Sequence, residues 1–135
     1  MARILGIDFG MKRCGLAVTD ILQISVNPLH AVSREGLDEY LDVYIKKEDV
    51  EAVVIGKPYH ADGTPMKLAE EIDRFGQSLL NRFPELSIHF YDESFTSRDA
   101  SKILAQTNKK KTRRDKSKLD VMSAVLILQK FLHHI

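Results

Sequence analysis

The run Ala52-Val53-Val54-Ile55-Gly56 narrows the possible folds more than any other part of this chain. Side chains alternate across a strand, so a strand with one wet face shows polar residues at every second position. This run shows none. It fits a strand covered on both faces, the situation of a parallel sheet packed between helices. The flanking sequence agrees. Leu37, Tyr40, Leu41, Tyr44 and Ile45 keep helical spacing and predict a helix at about 35–47. Thr64-Pro65 reads as an N-cap followed by proline at the first helical position, and Leu68, Ile72, Phe75 and Leu79 supply one face of that second helix. Leu86 to Tyr91 predicts another strand.

The N-terminal third reads differently. Arg3 to Phe9 alternates apolar and small residues and predicts a strand; Gly10 to Arg13 is a turn, and Cys14 to Thr19 a second strand. Ile24 to Val32 predicts a third strand. Pro28 inside it cannot donate to a ladder, which assigns this strand to an edge. Near the C-terminus, Thr96 is placed to cap a third helix with Ala100, Ile103 and Leu104 inward. Ser117 opens a last helix that is apolar on most sides from Leu119 to Leu132. The string β-β-β-α-β-α-β-α-α predicts an antiparallel meander followed by parallel strands joined through helical crossovers, an α/β fold.

Composition bounds the rest. With 135 residues, 44% of them apolar, the chain is expected to form one domain over 1–135 and to have an ordinary core. One Cys excludes an internal disulfide and a sulfur-ligated zinc site. No apolar run approaches the ~20 residues of a membrane helix. An acid, Asp8, comes before any signal-peptide core could form. A cytoplasmic protein with no membrane partner is expected. The net charge of +1 hides an asymmetry: residues 109–118 carry +6 and the remainder −5. Lys109, Lys110, Lys111, Arg113, Arg114, Lys116 and Lys118 either form a solvated loop or meet a polyanion at one place.

Three elements end or begin on acids. Asp8 closes the first strand on the stripe of Ile4 and Gly6, where a carboxylate is costly unless a cation meets it; the plainer alternative is a turn acid. Asp92 and Glu93 close the fifth strand. Alternation groups Asp92 with Ile88 and Phe90, and Glu93 with His89 and Tyr91, without choosing between them. Asp120 lies in the first turn of the last helix. It could serve as the acid of a capping box with Ser117, yet it also heads the apolar stripe Ala124, Ile127, Phe131. Acids at the ends of different core elements can converge at the carboxyl end of a sheet. All-oxygen ligands suit Mg²⁺ or Mn²⁺, and such ions serve phosphodiester hydrolysis.

The segment Gly6-Ile7-Asp8-Phe9-Gly10-Met11-Lys12-Arg13-Cys14-Gly15-Leu16-Ala17-Val18-Thr19-Asp20 resembles the opening motif of the YqgF/RuvX family. Val53-Val54-Ile55-Gly56-Lys57-Pro58 with Asp62-Gly63-Thr64 resembles its glycine–proline loop. Asp92-Glu93-Ser94-Phe95-Thr96-Ser97 resembles its acidic motif. Lys118-Leu119-Asp120 with Ser123-Ala124 and Ile127-Leu128-Gln129 resembles its C-terminal helix. The resemblance implies a ribonuclease-H-like fold, with a five-stranded mixed sheet in the order 3-2-1-4-5 flanked by helices. It implies a metal-dependent endonuclease whose catalytic, metal-holding acids fall on Asp8, Glu93 and Asp120. The implied role is 5′-end processing of precursor 16S rRNA, with Holliday junction resolution as the alternative. Two positions depart from the family pattern: Ser94 stands where arginine is usual, and Lys57 where an apolar residue is usual.

Lys12, Arg13, Lys57 and the 109–118 segment are the expected phosphate-holding residues, and Tyr59 and His60 could stack on an unpaired base. The expected partner is nucleic acid, and the expected state a monomer or a weak homodimer. Two rivals remain. Asp8-Phe9-Gly10 also fits the phosphate loop of sugar-kinase and actin-like ATPases, but those enclose ATP between two lobes and this length supplies one. A non-catalytic RNA-binding assembly module would not need three acids.

Overall fold

The computed structural model describes residues 2–57, 66–92 and 116–134. Strand β1 (Arg3–Asp8) pairs antiparallel with β2 (Arg13–Thr19), which pairs antiparallel with β3 (Val26–Ser33). Helix α1 (Arg34–Lys47) leads to β4 (Val50–Lys57), helix α2 (Met66–Arg82) to β5 (Ser87–Asp92), and helix α3 (Lys116–Phe131) comes last. Strands β1, β4 and β5 run parallel, and the sheet order is β3-β2-β1-β4-β5. Both the meander and the switch to parallel pairing match the sequence expectation. Pro28 does lie on an edge strand. The helix expected from Thr96, the cap at Thr64-Pro65, Tyr59, His60 and Glu93 fall outside the described residues.

Period-two alternation sorts the strand side chains onto two faces. Leu5, Ile7, Cys14, Leu16, Val53 and Ile55 point to one face and pack with Leu37 and Leu41 of α1 and with Ile72, Phe75 and Leu79 of α2. Ile4, Ala17, Ala52 and Val54 point to the other and pack with Ala124, Ile127 and Leu128 of α3. From Ala52 to Gly56, β4 is buried at every position, which is why its sequence lacks polar alternation. Each fully buried Leu or Ile side chain contributes about 1.5–3 kcal/mol. Helix α1 begins where the Ser33 hydroxyl accepts the Gly36 N–H at 3.0 Å; Glu35 in the first turn and Lys46 and Lys47 in the last complement the helix dipole.

The α3 face of the sheet is built from small residues, and this sets the height of the helix. A Cβ on Gly6 would press into the Leu128 side chain, and one on Gly15 would collide with the Asp120 carbonyl group. Glycine at 15 therefore lets the first turn of α3 rest on the backbone of β2.

Candidate active site

Strand register places Asp8 in a defined row. Its pairing partners are Gly15 on β2 and Gly56 on β4, and Gly56 pairs in turn with Tyr91 on β5. Asp8 thus lies half-buried between two positions that carry no side chain. It shares the face of Ile4 and Gly6, which α3 covers. Over one of those glycines lies the Asp120 backbone. The sheet and the helix together bring Asp8 and Asp120 to the same end of the fold, at the carboxyl end of β1. The stripe expected below Asp120 is also present, with Ala124 and Ile127 fully buried and Phe131 packed beside them.

Asp120 has a partner that sequence reasoning did not foresee. Its Oδ2 accepts a hydrogen bond from Arg13 Nε at 2.8 Å, with both side chains partly exposed. Arg13 stands two residues before Gly15, so the two share a strand face. The sequence carried no signal for this pair, because the hairpin register that sets Gly15 opposite Asp8 is not stated by the turn. Beneath the site, Cys14 is fully buried on the opposite face, and its thiol donates to the Gly10 carbonyl at 3.6 Å. Burial pushes this thiol up to about 11; Arg34 opposes the rise, and the fields of Asp8 and Asp120 add to it.

The expected basic residues do not all gather here. Lys12 is exposed and, with Arg13, Ala31, Val32 and Ser33, lines a cleft of about 270 Å³ that Arg13 joins to Asp120. Lys118 is exposed on the first turn of α3, which begins at Lys116. Lys57 goes elsewhere. Its Nζ lies 2.6 Å from Asp73 Oδ1 on α2 and 5.2 Å from the centre of the Phe90 ring, on the face opposite Asp8. The parity of β4 is the reason: Lys57 shares a face with Val53 and Ile55, and α2 offers it a carboxylate and a ring. Lys109, Lys110, Lys111, Arg113 and Arg114 lie outside the described residues. So does Glu93, although His89 and Tyr91, with which its sequence parity groups it, do lie on the α3 side, against Phe131 and the small-residue core respectively.

Among the described residues no three acidic, His or Cys side chains cluster as a metal site. Two acids, Asp8 and Asp120, do lie at the same end of the fold. Their donors are all oxygen, the set that suits Mg²⁺ or Mn²⁺, and one oxygen of Asp120 already engages a cation, the Arg13 guanidinium. The chemistry of the donors fits a hard divalent ion, and Asp8 and Asp120 are the described residues that could hold one.

Comparison with known proteins follows the same lines. The family model RuvX, described as Holliday junction resolvase, matches residues 2–134. A protein of Amoebophilus asiaticus is 43% identical over 133 residues, covering 98% of this chain and 94% of its own length. One of Christiangramia forsetii is 41% identical over 134 residues, covering 98% and 99%. Both bear the name "Putative pre-16S rRNA nuclease". Among solved structures, Thermus thermophilus RuvC in complex with a Holliday junction substrate superposes with a TM-score of 0.58 at 16% identity, covering 98% of this chain and 96% of that one. RuvC of the same organism in a second structure gives 0.55 at 15%. This likeness shows the ribonuclease-H-like fold.

Proposed function

The chain belongs to the RuvX family, and from that premise we propose that it is a metal-dependent endonuclease that trims the 5′ end of precursor 16S rRNA in the cytoplasm. The observation that carries the reading is the placement of Asp8 and Asp120 at the carboxyl end of β1, where Gly15, the pairing partner of Asp8, lets the start of α3 rest on the sheet. In this reading Asp8, Asp120 and Glu93 hold Mg²⁺ or Mn²⁺. A bound ion of this kind supplies Lewis acidity at the scissile phosphate and makes water a competent nucleophile near neutral pH. The residues of the chain do the rest. Asp8, anchored at a strand end, fixes one carboxylate relative to the sheet. Asp120, anchored where α3 rests on Gly15, fixes the other. Lys12 and Arg13 hold the phosphates beside the cut. Lys116, Lys118 and the basic residues from Lys109 to Arg114 add salt-dependent, sequence-blind affinity. The protein acts as a monomer or a weak homodimer.

A second reading, Holliday junction resolution, is supported by the likeness to RuvC bound to a junction. Incubating purified protein with labelled precursor 16S rRNA and with a four-way DNA junction, in Mg²⁺, Mn²⁺ or chelator and beside D8N, separates the two. Cleavage of the rRNA that needs metal and is lost in D8N supports the proposal. Cleavage of the junction alone transfers it to DNA. Tight binding with no cutting of either leaves a binding module and refutes the nuclease.

A further inference from the structure

Arg13 holds Asp120 through a single hydrogen bond from Nε at 2.8 Å. Among the described residues no acceptor engages its two terminal nitrogens, and Arg13 lines the cleft that it shares with Lys12 and Ser33. The arginine therefore stands between Asp120 and an open basic cleft. Its ion pair is a soft one: the Arg13 side chain is 36% exposed and that of Asp120 26%. Pairs this open contribute little, because water screens them. The backbone around them is fixed. The Asp120 carbonyl group rests on Gly15, so the helix start cannot move closer to β2, and exchange of the pair needs only the two side chains to turn.

We propose that Arg13 is an exchangeable counter-ion. It neutralises Asp120 when nucleic acid is absent and passes to a substrate phosphate in the neighbouring cleft when nucleic acid arrives, so that metal and nucleic acid load the site cooperatively. This rests on reading Asp120 as a metal ligand. A guanidinium and a divalent cation compete for the charge of the same carboxylate. A phosphate offers the guanidinium two oxygens in the bidentate geometry that it prefers, and releases Asp120. By linkage, whatever nucleic acid does for metal affinity, metal does for nucleic-acid affinity.

The opposite role is also chemically sensible: an arginine could orient Asp120 for the ion, and then its loss would weaken metal binding. The sign of the effect decides. Mn²⁺ alone is titrated into wild type, R13Q and R13K, followed by the electron paramagnetic resonance of free Mn²⁺, then again with a short RNA that carries non-hydrolysable phosphorothioate linkages. The counter-ion role predicts that R13Q binds Mn²⁺ alone about two- to fivefold more tightly than wild type, the range set by a partly exposed pair. It also predicts that the gain in Mn²⁺ affinity on adding RNA shrinks in R13Q and survives in R13K. Equal or weaker Mn²⁺ binding by R13Q, or an RNA-induced gain that R13Q leaves intact, overturns it. D120N is the separate control. If it binds Mn²⁺ as wild type does, Asp120 is no ligand, and the underlying site reading fails whatever R13Q does.

Discussion

Gly15→Ala is a one-methyl change that the structure predicts to be severe. The new Cβ would fall on the Asp120 carbonyl group and lie 2.7 Å from the Val121 nitrogen. All of these are backbone atoms in the first turns of α3, so no side chain can swing away. Restoring ordinary carbon contacts requires the helix start to lift by about 1 Å or more. Overpacking of this kind costs typically ~1–3 kcal/mol, and a backbone obstacle puts G15A near the upper end. For a chain of this size that lowers the melting temperature by roughly 3–5 °C per kcal/mol. The same lift draws Asp120 away from Asp8, and a misplacement of about 1 Å at a reacting centre costs ~100-fold in rate. G6A is the internal comparison: its Cβ presses on the Leu128 side chain and comes no nearer than 3.2 Å to the α3 backbone, so it is expected to be the milder change. Urea denaturation of G15A and G6A, with single-turnover cleavage on the folded fraction, measures both effects. A G15A protein as stable as wild type, with an unchanged cleavage rate, would refute the claim that this glycine sets the spacing of the acids.

Three smaller predictions accompany it. Cys14 stays protonated in the fold up to about 11 against an ordinary value of 9.0, whereas the unfolded chain loses that proton earlier. Stability from this group is therefore complete below about 9 and declines by about 2–3 kcal/mol as pH climbs to 11; C14A should flatten that part of a pH series of urea midpoints. K57Q removes the contact with Asp73 and the cation over Phe90, and should cost under about 1 kcal/mol of stability while leaving nucleic-acid affinity unchanged in a filter-binding titration. Ser33→Ala removes the cap of α1 and should cost about 1 kcal/mol in the same denaturation assay.

Much of this architecture was legible because local chemistry and burial agree. Pro28 named the edge strand, the unbroken apolar run named a strand covered on both faces, and the stripe below Asp120 named the buried side of the last helix. Asp8 stood out because its face-mates Ile4 and Gly6 are apolar or small, and they do pack under α3. The pairings across the fold were not legible. Arg13 and Asp120 are 107 residues apart, and nothing in either neighbourhood names the other. The composition of the β1–β2 turn does not state its register, so Gly15 gave no sign that it faces Asp8 and carries the start of α3. Lys57 was expected with the phosphate-holding residues as a positive charge within the Gly56-Lys57-Pro58 segment. Parity within β4 sends it to the other face, where its partner is Asp73 of α2.

The central claim is that Asp8 and Asp120 share a divalent cation. Crystals soaked in Mn²⁺ and measured at a wavelength where manganese scatters anomalously test it without any assumption about substrate. The account predicts an anomalous peak within coordination distance of both carboxylates, lost in D8N and in D120N crystals. A peak held by other residues, or none at either acid at a Mn²⁺ concentration that supports cleavage, would contradict it.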